Sequence, residues 1–267
     1  MSFSWHRQDR VVYLTSDLLT ATGKVKHAFS TRRGGLEDGV GNNLDLGLKH
    51  CDPMRAEKLR RLFLGTIGIS LNNLVAGQQN HGTKVQLVTS APRGAFIWET
   101  GFPATDALIT DQPQIALSVY TADCVPLLFL DPVQNAIAAA HAGWKGSIKG
   151  IAILTLRALQ NHFGSRPEDV LVAIGPSIGP CCYEIDYRVL APLKKRIAFW
   201  SELVHASRPG HHFLDLWTLN RKLLLLAGVT GEHIDIAGLC TYHRNEDFFS
   251  YRAEQSRAGS LMAVISL

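Results

Sequence analysis

Apolar positions along the chain fall into short runs bounded by turn residues, and this pattern predicts buried strands mixed with amphipathic helices. The clearest pair is the run 125–130 and the run 136–140, which the polar turn 131–135 separates. Uninterrupted apolar runs of this length between turn signals are typical of buried strands. Because the connection is short enough for a hairpin, we predict that the two runs pair in antiparallel fashion.

The rest of the chain carries both helical and strand-like patterns. Apolar residues recur at helical spacing in 53–67, 147–163, 187–200 and 216–227, and shorter runs at 25–29, 74–77, 85–88, 107–110, 115–119, 170–174, 234–239 and 261–265 predict further strands. Asp52 and Pro53 are suited to the cap and first position of the first helix. The elements do not alternate strictly, and there is no internal repeat or linker. The pattern therefore predicts an α+β fold, with residues 1–267 forming a single domain of mixed β-sheets flanked by helices.

Composition narrows the classes of protein that fit. Of 267 residues, 46% are hydrophobic and 19% charged, which is ordinary for a globular protein. The net charge of +4 comes from scattered basic residues, so we expect no nucleic-acid partner. No apolar stretch approaches the ~20 residues that cross a bilayer, and the N-terminus lacks a secretory pattern. Five sparse cysteines predict reduced thiols in a cytoplasmic protein, and a monomer is the default expectation.

Three residues dominate the candidate chemistry: His81, Cys124 and His141. Each lies in a short polar turn at the end of an apolar run. In the predicted hairpin, Cys124 precedes the first strand and His141 follows the second, so both fall at the same open end. A thiolate and two imidazoles can bind zinc and leave a fourth position for water, which is the arrangement of a catalytic zinc. Copper would also accept these ligands.

Structural roles compete with this interpretation when each residue is taken alone. His81 could be an ordinary surface or core histidine, Cys124 a buried apolar residue and His141 a helix cap. Spacing alone leaves the metal site and these roles open. Arg32, near a flexible glycine pair, could bind phosphate or carboxylate or could simply be solvated. Arg252, which follows Phe-Phe-Ser-Tyr, is more typical of a structural arginine.

Several ordered motifs resemble one known family. They are Phe-Ser-Thr-Arg at 29–32, Gln-Asn-His-Gly-Thr-Lys-Val at 79–85, Thr-Ala-Asp-Cys-Val-Pro at 121–126 and His-Ala-Gly-Trp-Lys-Gly at 141–146. Similar stretches continue to residue 252. The chain resembles the laccase-domain family, once labelled multicopper polyphenol oxidases and now understood as zinc-dependent purine nucleoside phosphorylases with adenosine deaminase and methylthioadenosine phosphorylase activities. Some bacterial members act as peptidoglycan editing factors.

The resemblance implies roles for particular residues. His81, Cys124 and His141 would be the zinc ligands and the catalytic centre, and Arg32 would contact phosphate. Purine nucleosides and phosphate would be the substrates. Asp123 is a candidate that the resemblance does not supply, and we expect it to contact the substrate and to protonate the leaving base.

Three other functions compete with a nucleoside enzyme. Cys124 activated by His141 could be the nucleophile of a metal-free hydrolase that edits a peptidoglycan precursor. A copper polyphenol oxidase is disfavoured, because the 11 histidines include no His-x-His pair from which a copper cluster could be built. A non-catalytic binding module would leave the clustering of ligand-type residues at turns unexplained.

Overall fold

The computed structural model describes residues 3–36, 43–48, 51–90 and 101–267. Within these ranges the strands are β1 Phe3–Gln8, β2 Val11–Ser16, β3 Lys26–Ser30, β4 Leu74–Ala76, β5 Val85–Leu87, β6 Ala107–Thr110, β7 Ala116–Thr121, β8 Val125–Asp131, β9 Ala136–Ala142, β10 Leu171–Ile174, β11 Glu184–Ile185, β12 Val204–Ala206, β13 His212–Leu214, β14 Ile234–Ile236 and β15 Leu261–Ser266. The helices are α1 Asp17–Thr20, α2 Pro53–Thr66, α3 Trp144–Ile148, α4 Ile151–Phe163, α5 Tyr187–Arg196, α6 Leu216–Leu226 and α7 Tyr251–Glu254.

These strands form three sheets. Sheet one has the order β1-β2-β3-β15-β7-β4, sheet two the order β14-β10-β8-β9-β6-β5, and sheet three the order β11-β13-β12. Most neighbours are antiparallel, but β4 runs parallel to β7, β5 to β6 and β10 to β14. The predicted α+β class with mixed sheets is therefore confirmed. None of the helices in the described ranges is long and apolar enough to cross a bilayer.

Sheets one and two stack face to face, with helices on both outer surfaces. One buried cluster lies between the two sheets, a second lies between sheet two and helices α3–α6, and a third lies between sheet one and α2. Strand β15 shows how one strand serves two clusters, because its side chains alternate in direction. Leu261, Ala263 and Ile265 pack toward sheet two, whereas Met262 and Val264 pack toward α2.

The predicted central hairpin is confirmed. Strands β8 and β9 pair antiparallel from Val125 opposite Ala142 to Asp131 opposite Ala136. Both strands lie in the middle of sheet two, and both of their faces are buried. This explains why their sequences are continuous apolar runs rather than alternating ones. His141 lies within the last part of β9, and Cys124 directly precedes β8, at the same end of the hairpin.

The prediction of one helix over 147–163 is wrong in one respect. The structure has two helices here, α3 and α4, which meet at Gly150. Gly150 has φ +83°, a left-handed conformation that glycine adopts without strain and that ends one helix before the next begins. Gly164, with φ +72°, ends α4 as expected. Asp52 caps α2 by accepting a hydrogen bond from the Arg55 backbone N–H, also as expected.

Two turns that join sheet one to sheet two position the candidate site. His81 lies between β4 of sheet one and β5 of sheet two, and Cys124 lies between β7 of sheet one and β8 of sheet two. His141, at the end of β9, belongs to sheet two. The three residues therefore meet where the chain crosses from one sheet to the other.

Candidate metal centre and cavity

The structure brings together the three side chains that dominate the sequence. One ligand atom from each of His81, Cys124 and His141 lies within 4.8 Å of the other two. His81 Nε2 is 3.7 Å from Cys124 Sγ, and the two imidazole rings meet edge to face with centroids 4.9 Å apart. His141 is buried, Cys124 is half-buried and His81 is exposed. The group therefore opens to solvent on the His81 side.

Asp106, a residue that the sequence analysis did not single out, organises two of these three residues. Its Oδ1 lies 2.8 Å from His141 Nδ1 and 3.0 Å from the His81 backbone N–H. Its Oδ2 accepts hydrogen bonds from the backbone N–H groups of Asn80 and Gly82. One fully buried carboxylate thus fixes the His81 turn and orients the His141 ring. A hydrogen bond to the second ring nitrogen of a metal-binding histidine is a common feature of metal sites.

The turn that carries His81 is also tied to sheet one. The Gln79 side-chain amide donates to the Tyr120 backbone carbonyl at 2.7 Å and accepts from the Tyr120 N–H at 2.8 Å. His81 itself has φ +61°, which is uncommon for a residue other than glycine. Strained conformations of this kind persist where surrounding contacts hold them, and they cluster at functional sites.

Gly143 leaves the space in which the ligands meet. A Cβ atom at this position would lie 2.7 Å from His81 Cδ2 and 3.1 Å from Cys124 Sγ. The backbone of Gly143 is in an ordinary extended conformation, so space rather than backbone geometry makes glycine necessary here.

The electrostatics of the group favour a charged sulfur. Burial by itself would raise the pKa of the Cys124 thiol, but the charge and hydrogen bond of His141, together with His81, outweigh it and lower the pKa to about 6. Burial would likewise lower the pKa of His141, but Cys124 and Asp106 raise it to about 9. The sulfur is therefore ready to act as a thiolate, which is the form that binds metals and attacks electrophiles.

The donor set fits a metal ion of the zinc type. Because Nδ1 of His141 is engaged by Asp106, Nε2 is the nitrogen left to face Cys124 and His81. One thiolate and two imidazoles are ligands that zinc prefers, and they leave one position open for water or substrate. Copper also accepts such ligands, so the residues are compatible with a metal without fixing its identity.

A cavity of about 630 Å³ adjoins the three residues. Aromatic side chains supply much of its wall, namely Tyr120, Trp144, Tyr183 and Tyr251. Its volume lies within the range of ~300–1,000 Å³ that is usual for small-molecule sites. Flat apolar walls beside a polar centre suit a ligand that combines an aromatic ring with hydroxyl or charged groups.

Asp123, predicted to contact substrate, lies in the wall of this cavity. It has φ +85°, and its two carboxylate oxygens accept hydrogen bonds of 2.6 Å from Thr241 Oγ1 and from the Arg252 backbone N–H. Its backbone carbonyl also accepts from the Ile178 N–H. Asp123 is therefore fixed in position by three separate segments of the chain.

The two arginines differ in where the structure places them. Arg252 lines the cavity, with its guanidinium over the Tyr183 ring and one N–H donated to the Glu184 carbonyl. Arg32 is not among the residues that line the cavity. Its guanidinium forms an ion pair with Glu254 at 2.9 Å and donates to the Asn245 carbonyl at 2.7 Å. A phosphate contact from Arg32 stays a prediction, and Arg252 is the arginine closer to the candidate chemistry.

Comparison with known proteins places the chain in a family. Residues 26–267 match the model of a family described as multi-copper polyphenol oxidoreductase laccase. The chain belongs to this family. Among its relatives, the laccase-family chain is similar to purine nucleoside phosphorylase YlmD of Bacillus subtilis, with 34% identity over 91% of this chain and 89% of that protein. It is also 32% identical to adenosine deaminase RL5 from an unknown prokaryote, over 84% of this chain and 87% of RL5.

A solved structure agrees with the fold of this laccase-family chain. The crystal structure of YlmD from Geobacillus stearothermophilus superposes with a TM-score of 0.90 at 33% identity, covering 98% of both chains. The likeness therefore extends over nearly the whole fold. The family resemblance suggested by the sequence motifs is confirmed.

Proposed function

We propose that this protein is a zinc-dependent purine nucleoside phosphorylase. The observation that carries the proposal is the meeting of His81, Cys124 and His141 at a cavity that has aromatic walls and a guanidinium. The relatives named purine nucleoside phosphorylase support it, since they match this chain over nearly its full length. Five free cysteines support a cytoplasmic location.

His81, Cys124 and His141 would hold the zinc ion, which when bound supplies a Lewis acid beside the cavity. Asp106 keeps His141 in one tautomer and fixes the turn that carries His81. The aromatic walls, among them Tyr183, offer stacking surfaces for a purine ring. The aromatic residues of the cavity wall would thus bind and orient the nucleoside.

Phosphorolysis needs three events at the sugar. A phosphate oxygen forms a bond to the anomeric carbon of the ribose, the bond from that carbon to the purine nitrogen breaks, and the leaving base gains a proton. Arg252 is positioned to hold the phosphate through charge-assisted hydrogen bonds. The proposed donor of this proton is the carboxyl group of Asp123, which is fixed in the cavity wall.

Two further reactions fit the same site. With methylthioadenosine the sugar carries a thioether instead of a hydroxyl, and the same bonds form and break. In deamination, water would replace the amino group of adenosine. The relative named adenosine deaminase RL5 supports this second reaction.

The proposal is tested by phosphate-dependent release of adenine from adenosine, measured together with the sugar phosphate. Protein purified without added metal is assayed as isolated, after chelation and after zinc is restored. We expect activity to be lost on chelation and regained with zinc. Cys124→Ala should be inactive, whereas Cys51→Ala, a matched removal of a cysteine outside the site, should be active. Full activity in chelated protein or in Cys124→Ala would overturn the proposal.

A second candidate, a cysteine hydrolase acting on a peptidoglycan precursor, is favoured by one observation. Cys124, His141 and Asp106 form a thiol–imidazole–carboxylate series, with a lowered pKa at Cys124 and a 2.8 Å bond from His141 to Asp106. Such a series activates a nucleophile without metal. Peptide-bond cleavage that survives chelation and is abolished by alkylation of Cys124 would establish this function. Cleavage that disappears with the metal would exclude it.

A copper polyphenol oxidase has the least support. Multicopper clusters need several histidine pairs, and the sequence has no His-x-His. The described ranges bring only one His/Cys/His group together. Elemental analysis of protein purified without added metal distinguishes one zinc ion per chain from several copper ions.

A further inference from the structure

A second group of metal-binding side chains lies outside the site described above. Cys181, Cys182 and Cys240 form a three-thiol cluster in which each sulfur lies within 4.8 Å of the other two. The sulfurs of Cys181 and Cys182 are 3.4 Å apart, and none of the three cysteines is in a disulfide. The cluster shares no residue with the His81, Cys124 and His141 group.

The fold, rather than chance proximity on a surface, brings the three thiols together. Parallel strands β10 and β14 end side by side, and a bridge between Ser177 and Cys240 continues their pairing. The segment after β10 then turns at Gly179 and delivers Cys181 and Cys182 to the sulfur of Cys240. Residues 61 positions apart in sequence, Gly179 and Cys240, are in direct hydrogen-bond contact.

The buried sulfur is surrounded as a metal-bound thiolate would be. Cys240 Sγ accepts a hydrogen bond from the Gly179 backbone N–H at 3.2 Å and one from the His243 backbone N–H at 3.5 Å. Backbone donors directed at a sulfur offset the negative charge that a thiolate carries, and outer hydrogen bonds of this kind orient metal ligands. Cys240 is buried and Cys181 is exposed, so the cluster is anchored on one side and accessible on the other.

The spacing of the sulfurs suits coordination of a single small cation. With metal–sulfur bonds of about 2.3 Å, three thiolates around one ion lie about 4 Å from one another. The observed sulfurs lie within 4.8 Å of one another, and those of Cys181 and Cys182 are 3.4 Å apart, so shifts of about 1 Å or less would bring all three to this spacing.

We propose that the three-thiol cluster is a binding site for a soft, thiophilic cation, with Cu(I) as the best match. Soft thiolate ligands select Cu(I), zinc or iron–sulfur clusters, and iron–sulfur clusters take four cysteines. Zinc in structural sites takes four protein ligands, and within the described ranges this group supplies three. On binding, the thiol protons are released as the sulfurs become ligands, so uptake of the cation is coupled to proton release.

The test uses the full chain carrying Cys124→Ala, which removes the thiolate of the other group. Cu(I) is added without oxygen from a coloured chelator of known affinity, and uptake is measured by competition. We expect one Cu(I) per chain, together with an ultraviolet sulfur-to-copper absorption band. Adding Cys182→Ser should weaken Cu(I) binding at least tenfold. Loss of a residue that only hydrogen-bonds to a metal ligand already lowers metal affinity ~10–100-fold, and Cys182 would be a ligand itself. Adding Cys51→Ser, which removes a thiol outside the cluster, should leave binding unchanged.

Two controls separate a loss of copper binding from a loss of folding. Thermal unfolding of each metal-free variant is measured alongside, and the exposed Cys181→Ser serves if changes at the more buried cysteines impair folding. No uptake by the Cys124→Ala protein would overturn the proposal. So would uptake that survives serine at both Cys181 and Cys182, or stoichiometric binding of Zn(II) with no binding of Cu(I).

Discussion

Nδ1 of His141 lies 2.8 Å from Oδ1 of Asp106, and the same carboxylate accepts hydrogen bonds from three consecutive backbone N–H groups of the His81 turn. A single side chain directly before β6 therefore sets the positions of two candidate ligands that are 60 residues apart in sequence. The lowered pKa of Asp106 agrees with this role, since the hydrogen bonds from His141 and the turn outweigh the cost of burial.

Asp106→Asn should weaken zinc binding by about 10–100-fold, the range seen when outer partners of metal ligands are changed. The amide oxygen can still accept hydrogen bonds. The amide nitrogen is a donor, so it cannot accept a hydrogen bond from the backbone N–H groups that it would face. Zinc affinity is measured by competition with a chelator, and phosphorolysis is assayed at saturating zinc. Asp111→Asn, just beyond the other end of β6, is the matched control and should bind zinc normally. Equal zinc affinity in both variants would show that Asp106 does not support the metal site.

Gly143→Ala should disturb the metal group without straining the backbone. The added Cβ would approach His81 Cδ2 to 2.7 Å and Cys124 Sγ to 3.1 Å, so these two side chains must shift from their positions. Overpacking of this kind costs about 1–3 kcal/mol, and we expect a clear loss of zinc affinity and activity. Gly65→Ala, on α2 with open space around the added carbon, should leave activity intact and raise stability by up to about 1 kcal/mol. Normal zinc affinity in Gly143→Ala would show that the ligands have more room than the structure indicates.

Changes at the two arginines distinguish the candidate phosphate contacts. Arg252→Gln should raise the KM for phosphate by about 10–100-fold, because a charged hydrogen bond contributes about 1.5–3 kcal/mol. Arg32→Gln should mainly lower the melting temperature, since it removes the ion pair with Glu254. Arg208→Gln, which removes an arginine paired with Glu184 outside this cavity, is the control for a general loss of positive charge. A rise in KM confined to Arg32→Gln would assign the phosphate contact to Arg32.

His27 should make stability depend on pH independently of the active site. Burial lowers the pKa of His27 to about 4, and its Nε2 accepts the Ser16 N–H, which a protonated ring could not do. The unfolded chain therefore binds the proton more tightly, so stability is lost as pH falls from about 6.5 to about 4. The expected loss is about 3 kcal/mol.

This pH effect is measured as the free energy of unfolding in urea at several pH values. In His27→Gln, which keeps an acceptor for Ser16, the corresponding part of the pH dependence should disappear. In His162→Gln, a change of an exposed histidine, it should remain. The same slope in wild type and His27→Gln would mean that His27 does not titrate as proposed.

Much of the fold's centre could be predicted from sequence because it is buried on both faces. The β8–β9 hairpin is a continuous apolar pattern with a short turn, and this placed Cys124 and His141 together in advance. The N-terminal hairpin and sheet three were not predicted. Their strands are short or half-buried, with mixed polar and apolar residues that resemble loops.

The three candidate ligands were named from the sequence, but the residues that hold them in place were not. His81 was singled out by its polar turn at the end of an apolar run, but no local pattern relates residue 81 to residue 124, so its closeness to Cys124 did not follow from spacing. Asp106 was missed, although a carboxylate directly preceding a buried strand is a signal comparable to Cys124. The roles of Gly143 and of the aromatic walls depend on contacts between distant segments, which one sequence does not reveal.

The two turns that cross from sheet one to sheet two have a consequence for the order of assembly. A chain in which only one sheet has formed holds an incomplete set of donors, so it cannot retain an ion tightly. Metal binding would therefore follow the docking of both sheets, and a bound ion would then link the two sheets. Metal binding late in folding, with slow release afterwards, would then indicate that the two sheets have docked.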